Sequence, residues 1–155
     1  GDVLKRTRAD AAAGLVHDHP RRPRLSLNIG ITGHRAVLLP DELVADIAAA
    51  LENVFGELRA GADRLLSEDL AIFANEPPLL QLHTPLATGA DQAAATSART
   101  LGYHVRALLP FAEAEYSNDF QRGRERDEFA RQLELADEVF ALPCERDDGT
   151  GAYVM

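Results

Sequence analysis

Two short polar stretches contain the residue types that bind small anions. Residues 32–35 (TGHR) and residues 88–91 (TGAD) each follow an apolar run. An arginine can hold a phosphate or carboxylate through two parallel hydrogen bonds, and a histidine can donate a hydrogen bond or carry a proton. A glycine at a helix start lets an anion approach the backbone N–H groups at the positive end of the helix dipole. Both stretches therefore predict contacts with an anionic ligand.

Each stretch also has a purely structural interpretation. Taken alone, TGHR is compatible with a tight turn whose two long side chains are solvated. Thr88-x-x-Asp91 matches a helix-capping pattern, in which the Asp91 carboxylate accepts a hydrogen bond from the Thr88 N–H. Capping and ligand binding are compatible, because a capped helix end can still present the N–H groups of Gly89 and Ala90.

Other reactive side chains form no pattern that would assemble a catalytic or metal site. His17 and His19 lack further ligands nearby, and Cys144 is the only cysteine, which rules out an intrachain disulfide. We predict no metal site and no cofactor. Two histidines within strands, His83 and His104, are interpreted as structural. Four carboxylates could act as general acids or bases: Asp91, Glu113, Glu115 and Asp119.

Alternating strands and helices would position these residues. Apolar runs predict four strands, at 25–32, 79–87, 103–111 and 137–143. One helix is predicted to begin at Pro40. Residues 59–78 are predicted either to continue this helix or to form a second short helix. Another is predicted from the TGAD stretch to Gly102, and residues 113–137 form a helix or a helix pair interrupted near Gly123. This succession predicts an α/β fold, a three-layer, Rossmann-like, doubly wound and mostly parallel sheet with helices on both faces.

In such a fold the carboxyl ends of parallel strands lie at the same edge of the sheet, where ligands bind. The TGHR and TGAD stretches would therefore lie close together. Pro110 and Phe111 end the third strand at the same edge and could form a wall against a base or a sugar. Three features at one edge favour a ligand loop over a solvated turn.

Charge and length restrict the class of protein. The 155 residues fit one domain, and their net charge is −9. Residues 1–24 contain six basic and three acidic residues, so the remaining chain carries −12. We expect residues 1–24 to be a basic, flexible leader and residues 25–155 to be the folded domain. An acidic body is unfavourable for binding nucleic acid.

Two further expectations concern the setting of the protein. No apolar run approaches the roughly 20 residues of a membrane-spanning helix, and residues 1–24 lack a signal-peptide core, so a cytoplasmic protein without a membrane partner is expected. The chain starts with Gly1 rather than Met and stops at the apolar GAYVM. We expect it to be a fragment, truncated at its C-terminus, of a longer protein with additional domains, and a homo-oligomer is compatible with these features.

Three segments in order resemble the SLOG superfamily: IGITGHR, PLATGADQAAATSARTLGY and VRALLPFAEAEYSNDF. These Rossmann-like domains are related to the lonely-guy phosphoribohydrolases and to DNA-processing protein A, and the resemblance covers residues 27 to 142. It implies binding of a nucleotide or nucleotide-derived ligand at the carboxyl edge of the sheet, in a sensing or signalling role. The positions that match the family's pocket are Thr32, Gly33, His34, Arg35, Thr88, Gly89 and Asp91.

The resulting hypothesis assigns a contact to each part of the ligand. Arg35 and the amides of Gly89 and Ala90 would hold phosphate, His34 would contact phosphate or ribose, and Phe111 would pack on the base. The alternative is a phosphoribohydrolase that cleaves the N-glycosidic bond of a nucleoside monophosphate. The lonely-guy enzymes carry a Gly-rich segment ending in Gly-Thr and a glutamate, whereas this chain has only DDGTGAY with no acid at the expected register. Enzymatic activity is left open, no catalytic residue is assigned, and a DNA-handling module is disfavoured by the acidic charge.

Overall fold

Parallel strands and helices alternate throughout the part of the chain that the structure, a computed structural model, describes: residues 21–35 and 40–143. The strands are β1 (Ser26–Gly30), β2 (Leu79–Thr84), β3 (His104–Leu109) and β4 (Glu138–Ala141). The helices are α1 (Asp41–Glu68), α2 (Ala90–Thr100), α3 (Glu113–Tyr116) and α4 (Arg124–Glu134), with a 3-10 turn at Ser117–Asp119. All four predicted strands are present. Residues 59–68 continue the first helix, and Gly123 separates the last two helices.

The strands form one sheet in the order β1-β2-β3-β4, and every neighbouring pair is parallel. The predicted α/β class and the Rossmann-like parallel sheet are confirmed. In a doubly wound sheet the strand order reverses once, next to the first strand. The order seen here follows the chain without a reversal, so this sheet corresponds to one half of a doubly wound sheet. The carboxyl ends of β1, β2 and β3 therefore lie side by side, as the position of a ligand site at this edge requires.

Three helices pack side by side on one face of the sheet. Alternate strand residues on this face, including Leu82, Val105 and Leu109, are fully buried. The Ser97 hydroxyl of α2 donates to the Ala48 carbonyl of α1 at 3.3 Å, and the side chains of Thr96 and Gln132 join α2 to α4 at 3.4 Å. Connections between neighbouring strands that share one hand place their helices on the same face. A helix layer on the opposite face, which the sequence also predicted, is not formed by the described residues.

The opposite face of the sheet carries a line of hydrogen-bonded polar side chains. His83 Nε2 lies 3.1 Å from Asn28 Oδ1, and Arg106 donates to Glu138 Oε1 at 3.0 Å. Gln81 links the two pairs when its amide oxygen faces Arg106. Its amide nitrogen then donates to Asn28 Oδ1 at 2.8 Å, and its amide oxygen accepts from Arg106 Nε at 2.9 Å. His83 thus has the structural role predicted for it, since it belongs to a network that spans all four strands.

An aromatic cluster anchors the long connection between β3 and α4. Phe120 stacks on Phe129 with ring centroids 4.1 Å apart, and Tyr116 meets both rings edge-on at 5.3 and 5.5 Å. All three rings are almost fully buried. Because this connection crosses the carboxyl edge of the sheet, the cluster positions any side chain that the connection presents there.

The segment between α1 and β2 is held by the end of the predicted leader. The Arg22 guanidinium donates to the Leu70 carbonyl, and Arg24 Nε donates to the Pro77 carbonyl at 2.7 Å. Residues 1–20 lie outside the described residues. Among the residues that are described, no helix is both long and apolar enough to cross a membrane.

Truncating the aromatic cluster should strongly destabilise the fold. Phe129→Ala removes a ring that is 1% exposed and stacked on Phe120, and we expect it to lower the free energy of unfolding by about 3–5 kcal/mol. The matched control is Phe140→Ala on β4, because that ring is 51% exposed and its loss should cost under about 1 kcal/mol. Urea unfolding of both variants measures the difference, and equal losses would contradict the role given to the cluster.

Candidate functional site

The loop after β1 and the start of α2 are in direct contact. A Cβ added to Gly33 would lie 2.5 Å from the Cβ of Ala90. The Ala90 N–H also donates to the His34 carbonyl at 3.4 Å. The structure therefore brings the TGHR and TGAD stretches together, and the contact depends on the absence of a side chain at Gly33.

The loop between β2 and α2 has an unusual backbone conformation. Leu86 has a positive φ of 58°, although it is a fully buried leucine. Its N–H donates to Thr84 Oγ1 at 3.1 Å, and its carbonyl accepts from Gln92 Nε2 at 3.2 Å. A left-handed conformation at a residue other than glycine costs on the order of 1 kcal/mol or more and persists where surrounding contacts enforce it. Burial and these hydrogen bonds hold the loop, and with it the first turn of α2.

The first turn of α2 is not capped as the sequence predicted. Gly89, with a φ of 95°, occupies the N-cap position and has no side chain that could cap the helix. Asp91 Oδ2 accepts a hydrogen bond from the Ala87 N–H at 3.3 Å rather than from the Thr88 N–H. Because the helix begins after the glycine, Thr88 is one residue too early to be the cap. Asp91 instead ties the helix start to the loop from β2.

The Asp91 carboxyl is buried and only half satisfied. The residue is 4% exposed, and among the described residues its Oδ1 atom has no hydrogen-bond partner. Burial raises the pKa of Asp91 from 3.8 to about 6, while the Ala87 N–H and the positive charge of Arg35 oppose this rise. A buried oxygen without a partner is costly to maintain, so it marks a position where a ligand donor would be stabilised.

Arg35 lies between two carboxyl groups. Its charge acts on Asp91, and its Nη2 lies 3.4 Å from Asp119 Oδ2. Its Nη1 also donates to the Asp119 backbone carbonyl at 3.3 Å. Asp119 comes from the 3-10 turn next to Phe120, so the aromatic cluster fixes its position. The sequence identified Asp119 only as a potential acid or base, since no local pattern links it to a residue 84 positions earlier.

The remaining predicted residues differ in accessibility. Thr32, Gly33 and His34 are exposed, Thr88 and Pro110 are half-buried, and Gly89 is buried. Phe111 is 1% exposed and belongs to the hydrophobic core. Its ring therefore does not form an open wall against which a base could pack.

The site combines positive and negative elements. Arg35 and the start of α2 favour an anionic group, whereas Asp91 Oδ1 can accept a hydrogen bond from a hydroxyl or an N–H group. The N–H of Ala90, predicted to bind phosphate, already donates to the His34 carbonyl. Backbone contacts to an anion would come from the next amides, of Asp91 and Gln92, because the first N–H groups of a helix have no partner within it.

Metal-binding groups are not clustered in the described residues. No group of three or more His, Cys, Asp or Glu side chains in residues 21–35 and 40–143 is arranged to hold a metal ion. His104 pairs with Asp137 at 3.2 Å near the start of β3, at the opposite end of that strand from the candidate site. His17, His19 and Cys144 lie outside the described residues.

No family model, curated protein or solved structure matches the chain. The resemblance to the SLOG superfamily therefore remains an expectation that the three sequence segments support. The geometry around Arg35, Asp91 and Asp119 is the basis on which a function can be argued.

Adding one methyl group at Gly33 should separate the β1 loop from α2. Gly33→Ala places a Cβ 2.5 Å from the Ala90 Cβ, and neither atom can be relieved by a rotamer change, so we expect a loss of about 1–3 kcal/mol in stability. Gly30→Ala is the control, since nothing lies within 4 Å of the added Cβ. Thermal and urea unfolding compare the two. Equal effects would show that the contact does not constrain the site.

Asp91→Asn should change how stability depends on pH. Because the folded protein raises the pKa of Asp91 from 3.8 to about 6, the folded state binds more protons than the unfolded state between these values. Stability therefore falls as the pH rises from about 4 to about 6, by on the order of 3 kcal/mol for this group. We expect Asp91→Asn to remove that contribution and to be more stable than the parent protein at pH 7. Urea unfolding at pH 4, 5, 6 and 7 measures it, and parallel curves would contradict the burial of an ionisable Asp91.

Proposed function

We propose that the domain binds a nucleotide or a nucleotide-derived ligand at the carboxyl edge of its sheet and acts as a sensing or regulatory module. The observation that carries this proposal is the buried Asp91 carboxyl, whose Oδ1 has no partner in the described residues. It lies at the start of α2, within reach of the charge of Arg35. The site thus offers one strong acceptor and one strong donor to the same ligand.

The two groups together select the chemistry of the ligand. A simple anion would pair with Arg35 but would leave Asp91 Oδ1 unsatisfied and would be repelled by its charge. A neutral sugar would satisfy Asp91 without using Arg35 or the helix start. A molecule with both a phosphate and hydroxyl or N–H donors satisfies Arg35, the start of α2 and Asp91 together. Its phosphate can bind Arg35 and the helix N-terminus, and a ribose hydroxyl can donate to Asp91.

The pairing of Arg35 with Asp119 suggests how binding is transmitted. The two contacts between these residues, at 3.3 and 3.4 Å, are long for charged hydrogen bonds. A phosphate that binds Arg35 competes with Asp119, and Asp119 is continuous with the aromatic cluster through Phe120. Ligand binding therefore alters the contact between the β1 loop and the connection from β3 to α4, which is the change that a sensor requires.

Thermal stabilisation by a panel of compounds tests the proposal. We expect shifts with one or more of AMP, ADP, cyclic AMP and ADP-ribose, and little or none with inorganic phosphate or ribose alone. A ligand at a hundredfold excess over Kd stabilises by about 2.7 kcal/mol. Arg35→Ala should remove the shift and leave the domain folded. Arg106→Ala, which changes an arginine paired with Glu138 on the other face of the sheet, should retain it.

Two results would overturn the proposal: no shift with any nucleotide, or equal shifts for the parent protein and Arg35→Ala. If inorganic phosphate alone gave the same thermal shift as a nucleotide, the site would be one that binds a simple anion. That result would exclude Asp91 as the acceptor of a hydrogen bond from the ligand.

A second candidate function, hydrolysis of a nucleoside monophosphate, is favoured by the titration of Asp91. A carboxyl with a pKa of about 6 can both donate and accept a proton near neutral pH, which suits a general acid or base. Chromatography of the protein incubated with nucleoside monophosphates would detect free base and ribose phosphate. Release that Asp91→Asn abolishes would favour hydrolysis, whereas unchanged nucleotide would leave binding as the function.

A further inference from the structure

The outer flank of α1 exposes an apolar stripe along most of the helix. Leu43, Val54, Leu58 and Leu65 are each between 37% and 53% exposed. Leu43, Val54 and Leu65 recur every 11 residues, which is close to three helical turns, so they lie in one line along the helix. Leu58 follows Val54 by four residues and lies beside this line. From Val54 to Leu65 the stripe is therefore continuous, whereas Leu43 lies three turns before Val54.

The stripe lies outside the contacts that α1 makes with the other residues that the structure describes. The core-facing residues Phe55 and Ala62 are 2% and 8% exposed. On the flank next to α2, the Ala48 carbonyl accepts from Ser97, and Arg59 donates to the Leu101 carbonyl. The stripe follows the opposite flank, which points away from α2. An amphipathic helix buries its apolar face when it is fully packed, so this flank is suited to a further partner.

We propose that this flank binds the same flank of a second copy of the chain, as an antiparallel helix pair. A twofold axis between Ala60 and Gly61 makes the part of the stripe from Val54 to Leu65 complementary to itself, whereas Leu43 lies beyond the end of the second copy's helix. With a rise of about 1.5 Å per residue, the second copy's Leu65 falls midway between Val54 and Leu58 along the helix. The two Gly61 residues meet at the axis, where the lack of side chains allows the helices to approach closely.

Charges beside the stripe fit the same axis. Glu57 and Arg64 lie on the solvent side of the stripe, two turns apart. The antiparallel arrangement places each Glu57 opposite the second copy's Arg64, so that two ion pairs form. The Arg64 side chain, whose Nη2 lies 4.0 Å from the position of a Cβ added to Gly61, must turn from Gly61 toward the second copy's Glu57 as the helices meet. A parallel pair would instead place Glu57 against Glu57, so charge favours the antiparallel pair.

Sedimentation velocity over a range of protein concentrations tests the association. We expect a reversible, concentration-dependent dimer, because a single helix pair is a small interface. Leu58→Glu should be monomeric throughout the range and should keep its thermal stability, since Leu58 is exposed. The control Leu135→Glu changes another exposed leucine, at the end of α4, and should dimerise normally. A monomeric parent protein, or a dimer lost equally in both variants, would overturn the proposal.

The antiparallel register has its own tests. Glu57→Arg and Arg64→Glu should each weaken the dimer, and the double variant should restore it, because it exchanges both charges. In a Cys144→Ser background, Gly61→Cys should form an intermolecular disulfide when oxidised with diamide, whereas Gly56→Cys, on the opposite side of α1, should not. No rescue by the double variant, or equal cross-linking at both positions, would overturn this register.

Discussion

The close approach of Gly33 to Ala90 is the contact on which the candidate site depends. The loop after β1 can lie on the first turn of α2 only because one residue has no side chain and the other has a single methyl group. This approach brings the charge of Arg35 to Asp91. Packing at this density tolerates no added atom without displacement, so the geometry of the site is linked to the identity of both small residues.

The Asp91 carboxyl, whose Oδ1 has no hydrogen-bond partner among the described residues, is an energetic cost of this arrangement. Burial opposes its ionisation, and the neighbouring Arg35 and Ala87 N–H compensate only in part. The left-handed Leu86 adds strain in the same loop. Costs of this kind are concentrated at functional sites, where a ligand rather than the protein completes the interactions. The rest of the domain must therefore be stable enough to hold the loop in place.

That stability comes from one side of the sheet. The aromatic cluster of Tyr116, Phe120 and Phe129 packs there with the Ala-rich face of α2, and it holds Asp119 against Arg35. The other face carries a line of polar side chains that bond to one another across the strands. The outer flank of α1 is apolar, and no part of residues 21–35 or 40–143 covers it. The proposed ligand site and the proposed dimer surface are thus separate parts of the domain, the carboxyl edge of the sheet and the flank of its first helix.

Local patterns were sufficient to determine the class of the fold and to predict which two loops meet. Apolar runs identified the four strands, and glycine-containing polar stretches after β1 and β2 identified the loops that meet, because parallel strands bring their carboxyl ends to one edge. Tertiary structure alone decided the rest. It placed Gly89 at the N-cap instead of Thr88, buried Phe111 in the core and brought Asp119 to Arg35. The last two outcomes depend on packing between residues that are far apart in the chain, and such contacts produce no pattern that either segment shows by itself.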